Sequence, residues 1–201
     1  MTTPSTAMNK LTRAELWPLE RYAIERGEFR SRVIAHKKLR KIALGEHISL
    51  LFEDRITVRY QVQEMLRIER IFEATGIQDE LDAYNPLIPD GNNLKATMLI
   101  EFPDPIVRAE RLAQLGGIEH RIYAEVAGLA KIFALADEDM DRSTEEKTSA
   151  VHFLRFEFPA STIAALRQGA ALNFGVEDPR MPSRTTIAET SRQALLADFG
   201  H

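Results

Sequence analysis

The stretch from Glu53 to Phe72, EDRITVRYQVQEMLRIERIF, constrains this chain most. Wound as a helix at about 100° per residue, it gathers Val58, Val62, Met65, Ile68 and Phe72 into one apolar sector and sets Arg59, Gln63, Arg67 and Arg70 opposite. Such a segment has to lay its apolar side on another layer. Gln61 and Glu69 fall inside or at the edge of that sector, and Glu64 sits just outside it. A carboxylate turned toward a core must find a partner, change its protonation state or mark a site.

Other elements follow from local punctuation. Thr12-Arg13-Ala14-Glu15 has the spacing of a capping box and starts a helix, which Pro18 interrupts. After Gly27 the pattern predicts a helix over 28–44 with Gly45 as its left-handed stop, so the chain opens with a long helical segment. Ile48–Phe52 reads as a strand, and the central helix is expected to stop at Gly76. The loop over 77–93 carries Tyr84-Asn85-Pro86 and Pro89-Asp90-Gly91-Asn92-Asn93, and a structureless connection of that length is a functional loop or a flap.

Lys95–Phe102 alternates as a strand, and Asp104-Pro105 fits an N-cap followed by a first-turn proline, with Gly116-Gly117 as the stop. His120–Val126 and the run ending near Ala136 form a β-hairpin. Thr148–Phe158 is a strand with Ala150, His152, Leu154, Phe156 and Phe158 on one side. A helix over 161–168, an edge strand over 171–176 and an amphipathic stretch over 187–199 complete the chain. The sum is an α+β fold, a largely antiparallel sheet with helices packed mainly on one side. One domain is expected over 11–201, after a flexible N-terminus at 1–10.

Composition removes whole classes of chemistry. There is no cysteine, hence no disulfide, thiolate metal site or cysteine nucleophile. The phosphate-binding, dinucleotide-binding, zinc-protease and nucleophile-elbow motifs are missing. A net charge of −4 asks for neither nucleic acid nor an anionic membrane, and no window approaches the about 20 apolar residues of a membrane span. The first residues lack a secretory pattern, so a cytoplasmic location is expected.

Three clusters carry candidate function. Gln61, Glu64 and Glu69 are expected to meet His152, Arg155 and the loop residues Tyr84, Asn85 and Asp90 in one polar pocket, a ligand site or a carboxylate–histidine active centre. The alternative for Glu69 is a structural ion pair with Arg121 or Arg155, and for His152 a satisfied core histidine. Asp137, Asp139 and Asp141 match the first positions of a calcium loop, but Arg142 and Thr148 break the pattern, so no metal site is assigned. The run RSRVIAHKKLRK holds Arg30, Arg32, Lys37, Lys38, Arg40 and Lys41 without an acid. It is a docking face for an acidic partner, or cations that simply favour a helix end. No cofactor is assigned, and a homodimer is compatible with exposed sheet edges.

The blocks LLFEDR, YQVQEMLRIERI, YNPLIPDG and KTSAVHFLRFE lie in a chain that resembles, over nearly all of residues 11–180, an uncharacterised bacterial family known as a domain of unknown function. Its members resemble gene neighbours of rubrerythrin and of an iron–sulfur protein similar to a heterodisulfide reductase subunit. The resemblance implies an accessory role in a redox or peroxide-handling system, with an iron–sulfur or rubrerythrin-type protein as partner. It supplies no catalytic residues. Two readings therefore stand: an accessory protein that docks on such a partner, and an enzyme or small-ligand or metal-binding protein built on the carboxylate–histidine pocket.

Overall fold

The computed structural model describes residues 10–136 and 148–200. The expected N-terminal tail up to residue 9, the aspartates 137, 139 and 141 and the terminal His201 lie outside the described residues.

Period-two alternation builds the centre. Strands β1 (Lys41–Leu44), β2 (Ile48–Phe52), β3 (Asn93–Ile100), β7 (Val151–Glu157) and β6 (Leu135–Ala136) form one antiparallel sheet in the order β1-β2-β3-β7-β6. A second takes β5 (Ile132–Phe133), β4 (Ile122–Val126), β8 (Leu172–Val176) and β9 (Ser183–Thr186) in the order β5-β4-β8-β9. Only Ala134 separates β5 from β6, so one short run of chain passes from sheet to sheet, and its amide bonds the Ile122 carbonyl at 2.9 Å. Across the molecule the Thr185 hydroxyl donates to the Ala43 carbonyl at 2.9 Å and ties β9 to β1. The two sheets thus close around one apolar interior, as in a flattened barrel.

The even residues of β3 and β7 fill that interior, as the alternation predicted: Leu94, Ala96, Met98 and Ile100 from one, His152, Leu154 and Phe156 from the other. Phe52, Phe156 and Phe174 meet across the sheets, with ring centres 4.8 to 6.2 Å apart. Gly175 on β8 lies so close to the Tyr123 ring and the Ser183 carbonyl that an added Cβ would sit about 2.5 Å from them, which excludes any side chain there.

The helices correct several expectations. α1 (Leu19–Arg40) starts after Pro18 and runs straight through Gly27, and residues 41–44 are strand β1 rather than its last turn. α2 (Arg55–Glu69) is capped by Asp54, whose carboxylate accepts from the amides of Ile56 and Thr57. It ends at Arg70 in a left-handed conformation, φ 55°, instead of at Gly76. The expected loop over 77–93 is largely α3 (Ala74–Tyr84) and a 3-10 turn at Asn85–Leu87. α4 (Pro105–Gln114) is capped by Asp104 as its proline predicts. α5 (Ala160–Arg167) and α6 (Glu189–Leu196) add Ile163, Leu166 and Leu195 to the barrel core. β8 is interior to its sheet, since β9, which the sequence reading missed, covers its outer side.

α1 and α2 run antiparallel, joined by an aromatic cluster of Trp17, Tyr22, Phe29 and Tyr60. α2, α3 and the segment up to Ile88 make a second small core from Leu11, Val58, Val62, Leu66, Leu81 and Ile88. This helical layer lies over the outer face of the first sheet and leaves part of it uncovered.

Candidate functional site

The pocket expected from the sequence does not form as one site. β7 alternates, so His152 points into the barrel while α2 lies outside the sheet. His152 is fully buried, with its Nε2 2.7 Å from the Thr148 hydroxyl and 3.0 Å from the Ser149 carbonyl. Among the described residues the carboxylate beside it is that of buried Glu119, 4.0 Å away, and not one of the central helix. Glu64 instead joins α2 to α1. It accepts from the Tyr22 hydroxyl at 2.6 Å, from Arg26 at 2.7 and 2.9 Å, and from Arg67 at 3.2 Å. The Arg26 hydrogen bonds, against the cost of burial, hold its carboxyl down to about 2. Glu69 is exposed on the last turn of α2, so the inward placement expected for it fails. Ile68 and Phe72 are 61% and 59% exposed, because α2 is covered along a line through Val58, Val62 and Leu66. That line also buries Gln63, expected on the outer side. Its amide pairs with the Trp17 backbone, accepting from the amide at 2.7 Å and donating to the carbonyl at 3.2 Å.

The structure does bring Gln61, Tyr84, Asp90 and Arg155 to the uncovered outer face of the first sheet, where two grooves adjoin and share Leu87 and Phe153. The larger, about 390 Å³, is lined by Lys10, Asp90, Lys95 and Arg155. Its charges are committed. Asp90 accepts from Lys95 at 2.7 Å and Lys10 at 2.9 Å, and although burial raises its pKa, these ammonium groups bring it to about 2. Asn85 spends its amide on Leu11, accepting at 2.8 Å and donating at 3.0 Å, and so fastens the N-terminal segment. The smaller groove, about 280 Å³, has Leu51, Val58, Leu87 and Phe153 as apolar walls and Lys37, Gln61 and Tyr84 as polar lining. Glu53 also lines it, 8% exposed, with its two oxygens accepting from the hydroxyls of Thr57 and Thr97 at 2.5 and 2.8 Å.

The basic run does not form one face either. Arg30, Arg32 and Lys38 are exposed on α1, Lys37 is half-buried beside the smaller groove, and Lys41 on β1 pairs with Glu101 at 3.7 Å. Arg40 is a correction: only 1% exposed, it is unavailable for docking. Its guanidinium donates to the carbonyls of Phe52, Ala194 and Glu53 at 2.9 to 3.1 Å and pairs with Asp198 and, at 3.5 Å, with Asp54. Burial pushes the Asp198 carboxyl up to about 6, although Arg40 pulls it the other way. Asp54 is also contacted by His36 at 2.5 Å.

A different set of cations gathers where α1 meets α2. Arg21 stacks 5.1 Å over the Trp17 ring, Arg59 stacks 4.5 Å over Trp17 and 5.6 Å over Phe29, and Arg32 lies 5.8 Å over Phe29. Arg59 has no carboxylate partner among the described residues, and its Nε is buried without a hydrogen bond. Burial lowers its pKa from the ordinary guanidinium value; Glu15 opposes this, and Arg21, Arg55 and Arg32 add to it. Arg21, Arg59 and Trp17 escaped the sequence reading. The one available signal was Arg59 on the polar flank of α2 beside an aromatic, Tyr60.

No group of three or more His, Asp or Glu side chains among the described residues is placed to hold a metal ion. None of their helices is long and apolar enough to cross a membrane.

The comparisons with known proteins agree with this fold without assigning an activity. A family model described as "Protein of unknown function (DUF3501)" matches residues 10–199. The chain is similar to a solved structure of a protein of unknown function from Burkholderia pseudomallei, with 49% sequence identity, a TM-score of 0.91, and coverage of 95% of this chain and 100% of that one. No curated protein matches it.

Proposed function

We propose that this chain, which belongs to the DUF3501 family of proteins of unknown function, is an accessory docking protein that receives an acidic partner on the arginine–aromatic face where α1 meets α2. The partner class is the one the sequence resemblance implies, an iron–sulfur or rubrerythrin-type protein of a redox or peroxide-handling system. One observation carries the reading: Arg59 is held on the Trp17 ring with its Nε buried and unbonded, and among the described residues no carboxylate forms an ion pair with it.

The physical reason runs through neutralisation. Other arginines of the chain are spent on its own acids, as Arg26 is on Glu64 and Arg180 on Asp178. Arg21 and Arg32, about three helical turns apart on α1, flank Arg59 and raise the local positive potential further. Their guanidinium groups lie over rings, which restrains the forks before a partner arrives and lowers the entropy lost on forming bidentate contacts to carboxylates. The rings are already covered by these arginines, and the chain as a whole is acidic, so an acidic protein surface suits this face better than a nucleic acid.

The test is co-purification from the native host at low salt, with metal analysis of what elutes. An iron-containing acidic protein should accompany the wild-type chain, dissociate as salt rises, and be lost with the double variant Arg21→Glu, Arg32→Glu. Retention of the same partner by that folded variant, or elution of the wild type without any iron protein, overturns the proposal.

A further inference from the structure

We propose that the smaller groove on the outer face of the first sheet binds a small zwitterion with an apolar body, of which an α-amino acid with an apolar side chain is the simplest member. The groove joins a small volume, about 280 Å³, to apolar walls and a few convergent polar groups, the usual make-up of a small-molecule site at the lower end of the size range. Among the described residues no hydrogen bond or ion pair occupies the Lys37 ammonium, the Gln61 amide or the Tyr84 hydroxyl; the Lys37 ammonium is only placed 5.8 Å over the Tyr60 ring. These three groups come from three different helices or helix ends, α1, α2 and α3, so their convergence is a property of the tertiary fold.

Both signs of charge line the space. Lys37 and the donors beside it suit a carboxylate. Glu53 offers the opposite pole, its oxygens fixed by Thr57 and Thr97 while each keeps a further lone pair for an ammonium. A ligand with one charge only would leave the other pole without a counterpart in a partly desolvated space, which is where discrimination is largest. Leu51, Val58, Leu87 and Phe153 would cover the apolar body. None of these residues belongs to the arginine–aromatic face, so this proposal stands or falls independently of docking.

Calorimetric titration of the full chain with L-phenylalanine tests it, alongside 3-phenylpropionate, which lacks the ammonium, and phenethylamine, which lacks the carboxylate. L-Phenylalanine should bind saturably and each analogue at least about tenfold more weakly, the loss expected for one charge-assisted hydrogen bond. Lys37→Met, a half-exposed position that leaves the fold intact, should weaken L-phenylalanine about tenfold and leave phenethylamine unchanged. Tyr84→Phe should act in the same direction by less. Glu53→Gln should show the mirror pattern, weakening L-phenylalanine and not 3-phenylpropionate. The inference fails if the wild type shows no saturable binding of L-phenylalanine, if 3-phenylpropionate binds as tightly, or if Lys37→Met binds L-phenylalanine like the wild type.

Discussion

Arg40 and Arg59 sit at two seams of the same helix α1 and use their charge in opposite ways. Where α1 ends against the barrel, Arg40 gives its guanidinium to three backbone carbonyls and two carboxylates, one of them at the other end of the chain. Where α1 meets α2, Arg59 rests on two aromatic rings and forms no ion pair with an acid among the described residues. The first arginine is a tie within the fold. The second is a charge the fold tolerates without using. Burial of a charge alone therefore does not separate structure from function; what separates them is whether the rest of the chain has supplied the counterpart.

The largest expected effect breaks the committed seam. Arg40→Met keeps much of the buried stem but strands Asp198 and three carbonyls, and should cost about 3–5 kcal/mol in urea unfolding. A loss near zero would mean that water replaces Arg40 and that the contrast is illusory.

The next effect is a pH dependence with a definite sign. The Asp198 carboxyl sits near 6 in the folded chain, above its ordinary value of about 3.9 when unfolded. The folded state therefore binds this proton more tightly. The stability it contributes is fully present below pH about 4 and is lost as pH rises through about 6, roughly 2–3 kcal/mol by linkage. Glu64 works the other way in a lower window: its depressed carboxyl contributes stability above pH about 4.3 that disappears as pH falls toward 2. Unfolding midpoints measured from pH 4 to 7 should slope downward in the wild type relative to Asp198→Asn. Equal slopes would remove Asp198 as the cause.

Third comes the uncommitted arginine itself. Arg59→Gln forfeits a cation–π contact but also removes a buried Nε with no acceptor, and these terms oppose each other, so stability should change by no more than about 1 kcal/mol. A destabilisation as large as that of Arg40→Met would show that Arg59 is structural after all.

How much of this was legible follows from which interactions are local. The strand alternation around His152, the Asp104-Pro105 start and the Thr12 capping box were readable because neighbours in sequence decide them. Two of the glycines misled, Gly27 and Gly76. Gly27 is tolerated inside α1 because Tyr22, Phe29 and Val33 on the buried side outweigh a penalty of about 1 kcal/mol. Gly76 is inside α3 for want of room: a Cβ there would meet Ile71 at 2.8 Å, while the stop of α2 falls on Arg70. Arg40 looked like the other cations of its run because its fate depends on Asp198, 158 residues away. The same limit hid the buried Glu119 near His152, since nothing in the spacing links the two.

The smallest expected change in stability decides what the uncommitted seam is for. Arg21 and Arg32 are exposed, and the contact of Arg32 with Glu28 at 3.8 Å is a surface pair of little value. The double variant Arg21→Gln, Arg32→Gln should therefore melt within about 0.5 kcal/mol of the wild type, as surface substitutions do. It also relieves the repulsion on Arg59, so the helix pair gains slightly as the flanking charges go. If docking is the role of this face, the same variant that leaves folding untouched should lower the on-rate for an acidic partner and flatten its salt dependence, because rim charges act mainly through steering. Arg30→Gln with Lys38→Gln, on other sides of α1, removes equal charge and should leave both readouts near wild type. If the two double variants behave alike in partner binding, net charge and not the arginine–aromatic arrangement governs the encounter, and the distinction between the two seams reduces to one of burial.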